Sequence, residues 1–281
     1  MRIPAIIAIP LFTLVACGGE KTPAADPTAT VAPPVITITA KDYAYDAPDT
    51  VTGGVVNITF ANQGPELHHV QLVHLADGKK AADLEAALKA LKPGDPMPTW
   101  AHDIAGPNAP GPGSTSSLIQ DLAPGEYAII CAIPSPDGVP HFMKGMIRAL
   151  TVLPPTGAVA ALPAADVNVR MLDYSWEITP ALSAGKHMLR VENAGEQSHE
   201  IFFATLNPGK TAMDLATWAE KPVGPPPGAP VGGTSAMAKG SVVFIPVDLA
   251  PGEYGVYCFI PDAKDGKPHL AHGMIRQVTV Q

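Results

Sequence analysis

This 281-residue chain has no CxxC pair, no phosphate-cradling glycine loop and no serine–histidine–aspartate set, and no His-x-His pair occurs among its nine histidines. Thiol-exchange, nucleotide and triad chemistry therefore have no residues to carry them. Aromatic residues are scarce at 6%, whereas there are 32 prolines and 26 glycines. That balance suits a β-sandwich with many turns. The formal charge of −8 argues against nucleic acid as a partner. Beyond residue 17 no long apolar run exists, so no later segment reads as a membrane-spanning helix.

What is present begins at the N-terminus. Met1-Arg2 carries one positive charge, and residues 3–16 are apolar apart from Pro4, Pro10 and Thr13. The run has the length of a signal-peptide core and is too short to cross a bilayer. It ends in Leu14-Val15-Ala16-Cys17-Gly18, which resembles the lipobox of bacterial lipoproteins. That resemblance implies cleavage after residue 16, diacylation of Cys17, and export to the cell envelope with attachment by lipid. Gly18 rather than Asp after the Cys favours the outer membrane if the cell is Gram-negative. Residues 17–34 are rich in Gly, Pro, Ala and Thr without hydrophobic periodicity, and are expected to act as a disordered tether.

The remainder is one unit written twice. At a constant offset of 131 residues, Asp42-Tyr43 matches Asp173-Tyr174, Gly54 matches Gly185, Asn62 matches Asn193, Gly64 matches Gly195 and His68 matches His199. After loops that differ by four residues the match resumes: DLAPGEY occurs at 121–127 and again at 248–254, and eight of the eleven positions in 121–131 are identical to 248–258. Such a period means tandem domains, since each copy can bury its own core. The sequence places the first at 35–153, a Pro- and Ala-rich linker at 154–165, and the second at 166–281.

Within each copy the pattern is β. Residues 35–38, 55–60 and 127–130 are short runs rich in β-branched or aromatic residues, separated by Gly-Pro, Pro-Gly and Asp-Gly turns. One helix interrupts each copy, with Leu84, Leu88 and Leu91 on one face in the first and Leu215 and Trp218 in the second. The prediction is an all-β chain of two tandem Greek-key sandwiches, each with a short helical insertion.

Two sets of soft metal ligands fall in register. The first is His68, then Cys131, nine residues, His141, four residues, Met146. The second is His199, then Cys258, ten residues, His269, four residues, Met274. Two imidazoles, a thiolate and a distant thioether are the donors of a mononuclear blue-copper site. On these residues both copies resemble cupredoxin (type 1 copper) domains, over nearly their whole length, with the helical insertion as the main departure. The first Cys-to-His loop, beginning Cys131-Ala132-Ile133-Pro134, is similar to that in the copper domain of nitrite reductases. The resemblance implies one copper per domain, two in all. Phe142, Met143, Phe259 and Leu270 are expected to keep water from the metal. A Cys131–Cys258 disulfide would need Cα atoms within about 7 Å, which equivalent interior positions of two domains disfavour.

His69, beside His68, is discounted because adjacent strand residues face opposite ways. His272 is expected to face solvent, and His74, His102 and His187 have no counterparts in the other copy. Multicopper oxidases and copper nitrite reductases also carry tandem cupredoxin domains, but place a His beside the type 1 Cys. Here the neighbours are Ile130 and Ala132, and Tyr257 and Phe259. The sequence therefore predicts no enzymatic activity, and an envelope-anchored carrier of single electrons whose redox partner it does not name. The alternatives are copper storage or delivery, and a metal-free sandwich serving adhesion or assembly.

Overall fold

The computed structural model describes residues 31–92, 95 and 97–281; the lipobox-like Cys17 lies outside them. The first repeat comprises β1 (Val35–Lys41), β2 (Ala44–Asp46), β3 (Thr50–Thr52), β4 (Gly54–Asn62), β5 (Gln71–Leu75), α1 (Ala81–Ala90), β6 (Ala101–Ile104), β7 (Thr115–Leu122), β8 (Gly125–Ile130) and β9 (Ile147–Leu153). The second comprises β10 (Val167–Leu172), β11 (Ser175–Thr179), β12 (Gly185–Asn193), β13 (His199–Leu206), α2 (Ala212–Glu220), β14 (Gly228–Met237), β15 (Val242–Leu249), β16 (Gly252–Tyr257) and β17 (Ile275–Val280).

Alternation makes the strands and sets their inner faces. In β1, Ile36, Ile38 and Ala40 are buried, and in β10 the same places are taken by Val167, Val169 and Met171. Burying one such aliphatic side chain contributes about 1.5–3 kcal/mol. β1 runs parallel to β4, and β10 parallel to β12, whereas the hairpin pairs β8–β9 and β16–β17 are antiparallel. Each repeat is a sandwich of two sheets. The outer sheets are β3-β9-β8-β5-β6 in the first and β14-β13-β16-β17 in the second.

The facing sheet is shared. Its order is β11-β10-β12-β15-β7-β4-β1-β2, with β15 against β7 at Phe244 and Ile119. Val55, Ile119, Phe244 and Ala160 bury this seam, so residue 160, in the segment between the repeats, packs into the join. The two sandwiches thus form one body.

The helices follow their apolar stripes. Leu84 and Leu88 of α1 pack on Val73, Leu75, Ala128 and Ile130, with Leu91 partly buried at the helix end. Thr211 caps α2 in a reciprocal box, its hydroxyl accepting from the Asp214 N–H at 3.1 Å while the Asp214 carboxylate accepts the Thr211 N–H at 2.7 Å. Leu215 is buried and Trp218 half-buried. No helix among the described residues is long and apolar enough to cross a membrane.

Candidate metal centres

The loop after β4 presents His68, and the first residue of β13, following the loop after β12, is His199. Asn62 and Asn193 build these loops in the same way. Asn62 Oδ1 accepts the Gly64 N–H at 3.1 Å, and its amide donates to the Glu66 carbonyl at 2.8 Å. Asn193 Oδ1 accepts the Gly195 N–H at 3.0 Å and its amide donates to the Gln197 carbonyl at 2.8 Å. Both glycines are required for space, since a Cβ on Gly64 would lie 2.9 Å from His68 Nε2 and one on Gly195 2.6 Å from His199 Nε2. This close approach brings each histidine to an aspartate in the turn that follows the first strand. His68 Nε2 is 3.4 Å from Asp42 Oδ1, and His199 Nε2 is 2.5 Å from Asp173 Oδ1.

The remaining donors come from the last hairpin. Cys131 follows β8, and its N–H donates to the Met146 carbonyl at 3.3 Å. The Met146 N–H donates in turn to the His141 carbonyl at 3.0 Å. Cys258, Met274 and His269 repeat the pattern at 3.1 and 3.0 Å. A single turn of 3-10 helix starts at each histidine and closes on Gly145 or Gly273, at φ of 101° and 108°. Only glycine adopts such φ without strain, which accounts for the Gly-Met pair in both copies.

These elements bring the predicted histidines and cysteines together. The donor atoms of His68, Cys131 and His141 all lie within 4.8 Å of one another, as do those of His199, Cys258 and His269. His68 Nδ1 is 3.0 Å from His141 Nδ1, and Cys131 Sγ is 3.4 Å from the latter. In the second cluster Cys258 Sγ is 3.4 Å from His269 Nδ1 and 4.0 Å from His199 Nδ1. All six side chains, and Met146 and Met274, are wholly buried.

The surroundings suit a soft or borderline metal. Burial lowers the basicity of His68 and His141, against the pull of Asp42 and Glu66, and brings His269 down to about 4. For these three imidazoles burial therefore favours the neutral form that ligates a metal. Burial pushes the Cys131 thiol up to about 12, and raises Cys258 too, so a metal must displace the thiol proton when it binds. Metal-bound histidines pass their second nitrogen to an outer acceptor. Asp42, Glu66 and Asp173 supply one to His68, His141 and His199. His269 Nε2 has no hydrogen bond, its nearest carboxylate being Asp262 at 3.9 Å. The donor set and its outer acceptors fit mononuclear copper in each cluster.

Sequence reasoning missed several neighbours. Tyr43 and Tyr174 lie edge-on to His141 and His269, at 5.1 and 5.2 Å between ring centres. The repeat match of Asp42-Tyr43 with Asp173-Tyr174 was the signal for both pairs. His69 stays out of the cluster but is not a bystander on a strand. It precedes β5, is buried, and accepts the Ala132 N–H at 3.0 Å. Phe142, Phe259 and Leu270 are half-buried, but Met143 is 40% exposed and shields nothing. His272 is exposed, 3.2 Å from Asp265. His74 and His102 pair across β5 and β6, and His187 bonds Asp166.

No family model and no curated protein matches this chain. Among solved structures, auracyanin from Roseiflexus castenholzii is 28% identical over 44% of this chain and 100% of its own, with a TM-score of 0.31. A blue copper oxidase from Nitrosomonas europaea aligns at 14% identity over 89% of this chain and 86% of its own, TM-score 0.28. A copper-containing nitrite reductase from Thermus scotoductus aligns at 12% identity over 88% and 61%, TM-score 0.23. The last two are enzymes, and this corrects the expectation of no enzymatic activity. That expectation rested on absences, of a histidine beside each cysteine, of a His-x-His pair and of triad, phosphate-loop and CxxC motifs, and absences do not exclude catalysis.

Proposed function

We propose that the chain binds one copper in each repeat and carries single electrons at the outer face of a cell membrane. The observation that supports this most is the doubled convergence of two Nδ1 atoms on one buried thiol, with the outer nitrogens of three of the four histidines on carboxylates. Bound copper supplies a one-electron couple between Cu(II) and Cu(I). The residues do the rest. His68, Cys131 and His141, with Met146, and His199, Cys258 and His269, with Met274, would hold the metal in buried donor sets that need little rearrangement between oxidation states. Tyr43 and Tyr174 pack edge-on against the hairpin histidines. Attachment through a lipidated Cys17 and export to the envelope belong to the same proposal, as does a soluble or membrane-bound protein partner that exchanges electrons.

Metal analysis tests the reading. Copper-loaded protein should hold two coppers per chain and show the visible thiolate-to-Cu(II) charge-transfer band. Cys131→Ala and Cys258→Ala should each remove one copper and leave the other. Two coppers with no such band would overturn the thiolate sites, and one copper in the parent protein would leave a single functional repeat.

A further inference from the structure

The two clusters are joined through the interior by three buried polar side chains. His69 and Glu200 occupy equivalent positions, each immediately after the first histidine of its set. They differ in chemistry yet make the same contact. His69 Nε2 accepts the N–H of Ala132, the residue after Cys131, at 3.0 Å. Glu200 Oε1 accepts the N–H of Phe259, the residue after Cys258, at 2.7 Å. The Glu200 N–H also points at Cys258 Sγ, 3.5 Å away.

Asn108 stands between them. Its amide donates to the other carboxylate oxygen of Glu200 at 3.1 Å, and its side chain neighbours that of His69. Because His69 Nε2 accepts from Ala132, the ring proton sits on Nδ1; the Asn108 carbonyl oxygen already accepts the Ala109 N–H at 2.8 Å and keeps one lone pair for a second donor. The exposures of His69, Asn108 and Glu200 are 8%, 3% and 5%. The route therefore reads Cys131, Ala132, His69, Asn108, Glu200, Phe259, Cys258, with covalent bonds or hydrogen bonds at every step except the side-chain approach of His69 to Asn108, and all three bridging side chains are buried.

Burying three such groups is costly, and although Asn108 also helps to dock the repeats, its amide donating to the Thr234 carbonyl at 3.2 Å, docking does not need His69 or Glu200. Other contacts already hold that seam: Ser235 Oγ donates to the Val70 carbonyl at 2.8 Å, Gln71 to the Ala236 carbonyl at 3.1 Å, and Ser198 to Asp103 at 3.1 Å. None of these runs from one cysteine to the other.

We infer that His69, Asn108 and Glu200 form an electronic bridge through which the two metal centres exchange electrons within one chain. Hydrogen bonds couple donor and acceptor orbitals better than van der Waals gaps do, and neighbouring hydrogen bonds polarise one another in a dry interior. One electron passes from a reduced centre to an oxidised one. The bridging side chains are neither oxidised nor reduced, and no bond breaks. The chain then works as a single carrier of two electrons, able to accept at one repeat and release at the other. This inference rests on the proposed copper in each repeat.

The test uses the full copper-loaded chain carrying Met274→Gln, which gives the second centre its own spectrum and a lower potential. A pulse of radiolytic reductant delivers less than one electron per chain, and absorption follows the charge-transfer bands of both centres. A first-order redistribution independent of protein concentration is expected. Asn108→Leu should retain both coppers and slow that phase by about tenfold or more. Asp103→Ala, which removes a seam contact off the route, should leave it unchanged. If Asn108→Leu does not fold, His69→Leu should slow the phase and His69→Gln, which keeps an acceptor and a donor, should restore it. Fewer than two coppers would overturn the copper reading and the bridge together. Two coppers with no redistribution, with an unchanged rate in the Asn108 and His69→Leu variants, or with equal slowing by Asp103→Ala, would overturn the bridge alone.

Discussion

Glu66 Oε2 lies 2.9 Å from His141 Nε2, and its other oxygen accepts the Tyr43 hydroxyl at 2.9 Å. The second repeat has Gln197 at the position of Glu66, and the carboxylate there comes instead from Asp262, in the loop between Cys258 and His269. Asp262 accepts from the Tyr174 hydroxyl and from Gln197 at 2.8 Å. The tyrosine and a carboxylate persist in both repeats while the carboxylate changes its origin. An acceptor near the hairpin histidine is therefore part of the site's chemistry rather than an accident of one loop.

That relationship predicts unequal responses to removing the acceptors. Glu66→Ala and Asp173→Ala each strip a hydrogen bond from a ligand histidine, and such losses cost about 10–100-fold in metal affinity. Each should weaken only its own repeat. Asp262→Ala should cost less, because its oxygen stands 3.9 Å from His269 Nε2. Competition with a Cu(I) chelator, read per repeat in the Cys131→Ala and Cys258→Ala backgrounds, measures all three. Equal affinities throughout would remove any tuning role from the carboxylates.

The glycines of the site predict two different failures. Nothing lies within 4 Å of a Cβ placed on Gly145, so Gly145→Ala costs only its left-handed backbone, about 1–2 kcal/mol. It should lower stability by that amount in denaturant titration. Gly64 has ordinary φ, but its Cβ would meet His68 Nε2. Gly64→Ala should therefore displace the histidine and lower copper affinity in the first repeat. The pair separates backbone strain from steric displacement.

Anchoring has its own test, since it rests on residues outside the described structure. Cys17→Ser should leave the precursor uncleaved or release the protein from the membrane fraction. Unchanged processing and attachment would remove the lipoprotein reading.

The ligands were legible because most of each set is local. Cys131, His141 and Met146 lie on one hairpin, with a spacing that repeats at Cys258, His269 and Met274, and the offset of 131 residues brought His68 and His199 into register. Asp42 and Asp173 were visible only as matches, because the contact that gives them meaning crosses from the turn after one strand to a different loop. The bridge was harder to see. Its two ends are His69 and Glu200, which share a position and a contact but no chemistry, so comparing the copies hides the equivalence. Asn108 lies where the copies differ in length and has no counterpart to flag it. The discounting of His69 failed for a local reason. Strand alternation does not apply at 69, because β5 begins only at Gln71.

The last prediction concerns Met146 and Met274. Both are wholly buried, and the N–H of each is tied to the carbonyl of the hairpin histidine five residues earlier in the loop. A weak thioether adds little to holding copper when a thiolate and two imidazoles supply most of the bonding. Replacing either Met by Leu should therefore leave that site occupied and raise its potential, because an apolar group disfavours Cu(II) further. Replacement by Gln should lower it, because a harder oxygen donor favours Cu(II). Voltammetry of each single variant, with copper counted in the same sample, reads both effects. If Met→Leu empties the site, the sulfur is a strong ligand and the geometry is not that of type 1 copper. If neither change moves the potential, the methionine is packing alone, and the metal is set by the two histidines and the cysteine.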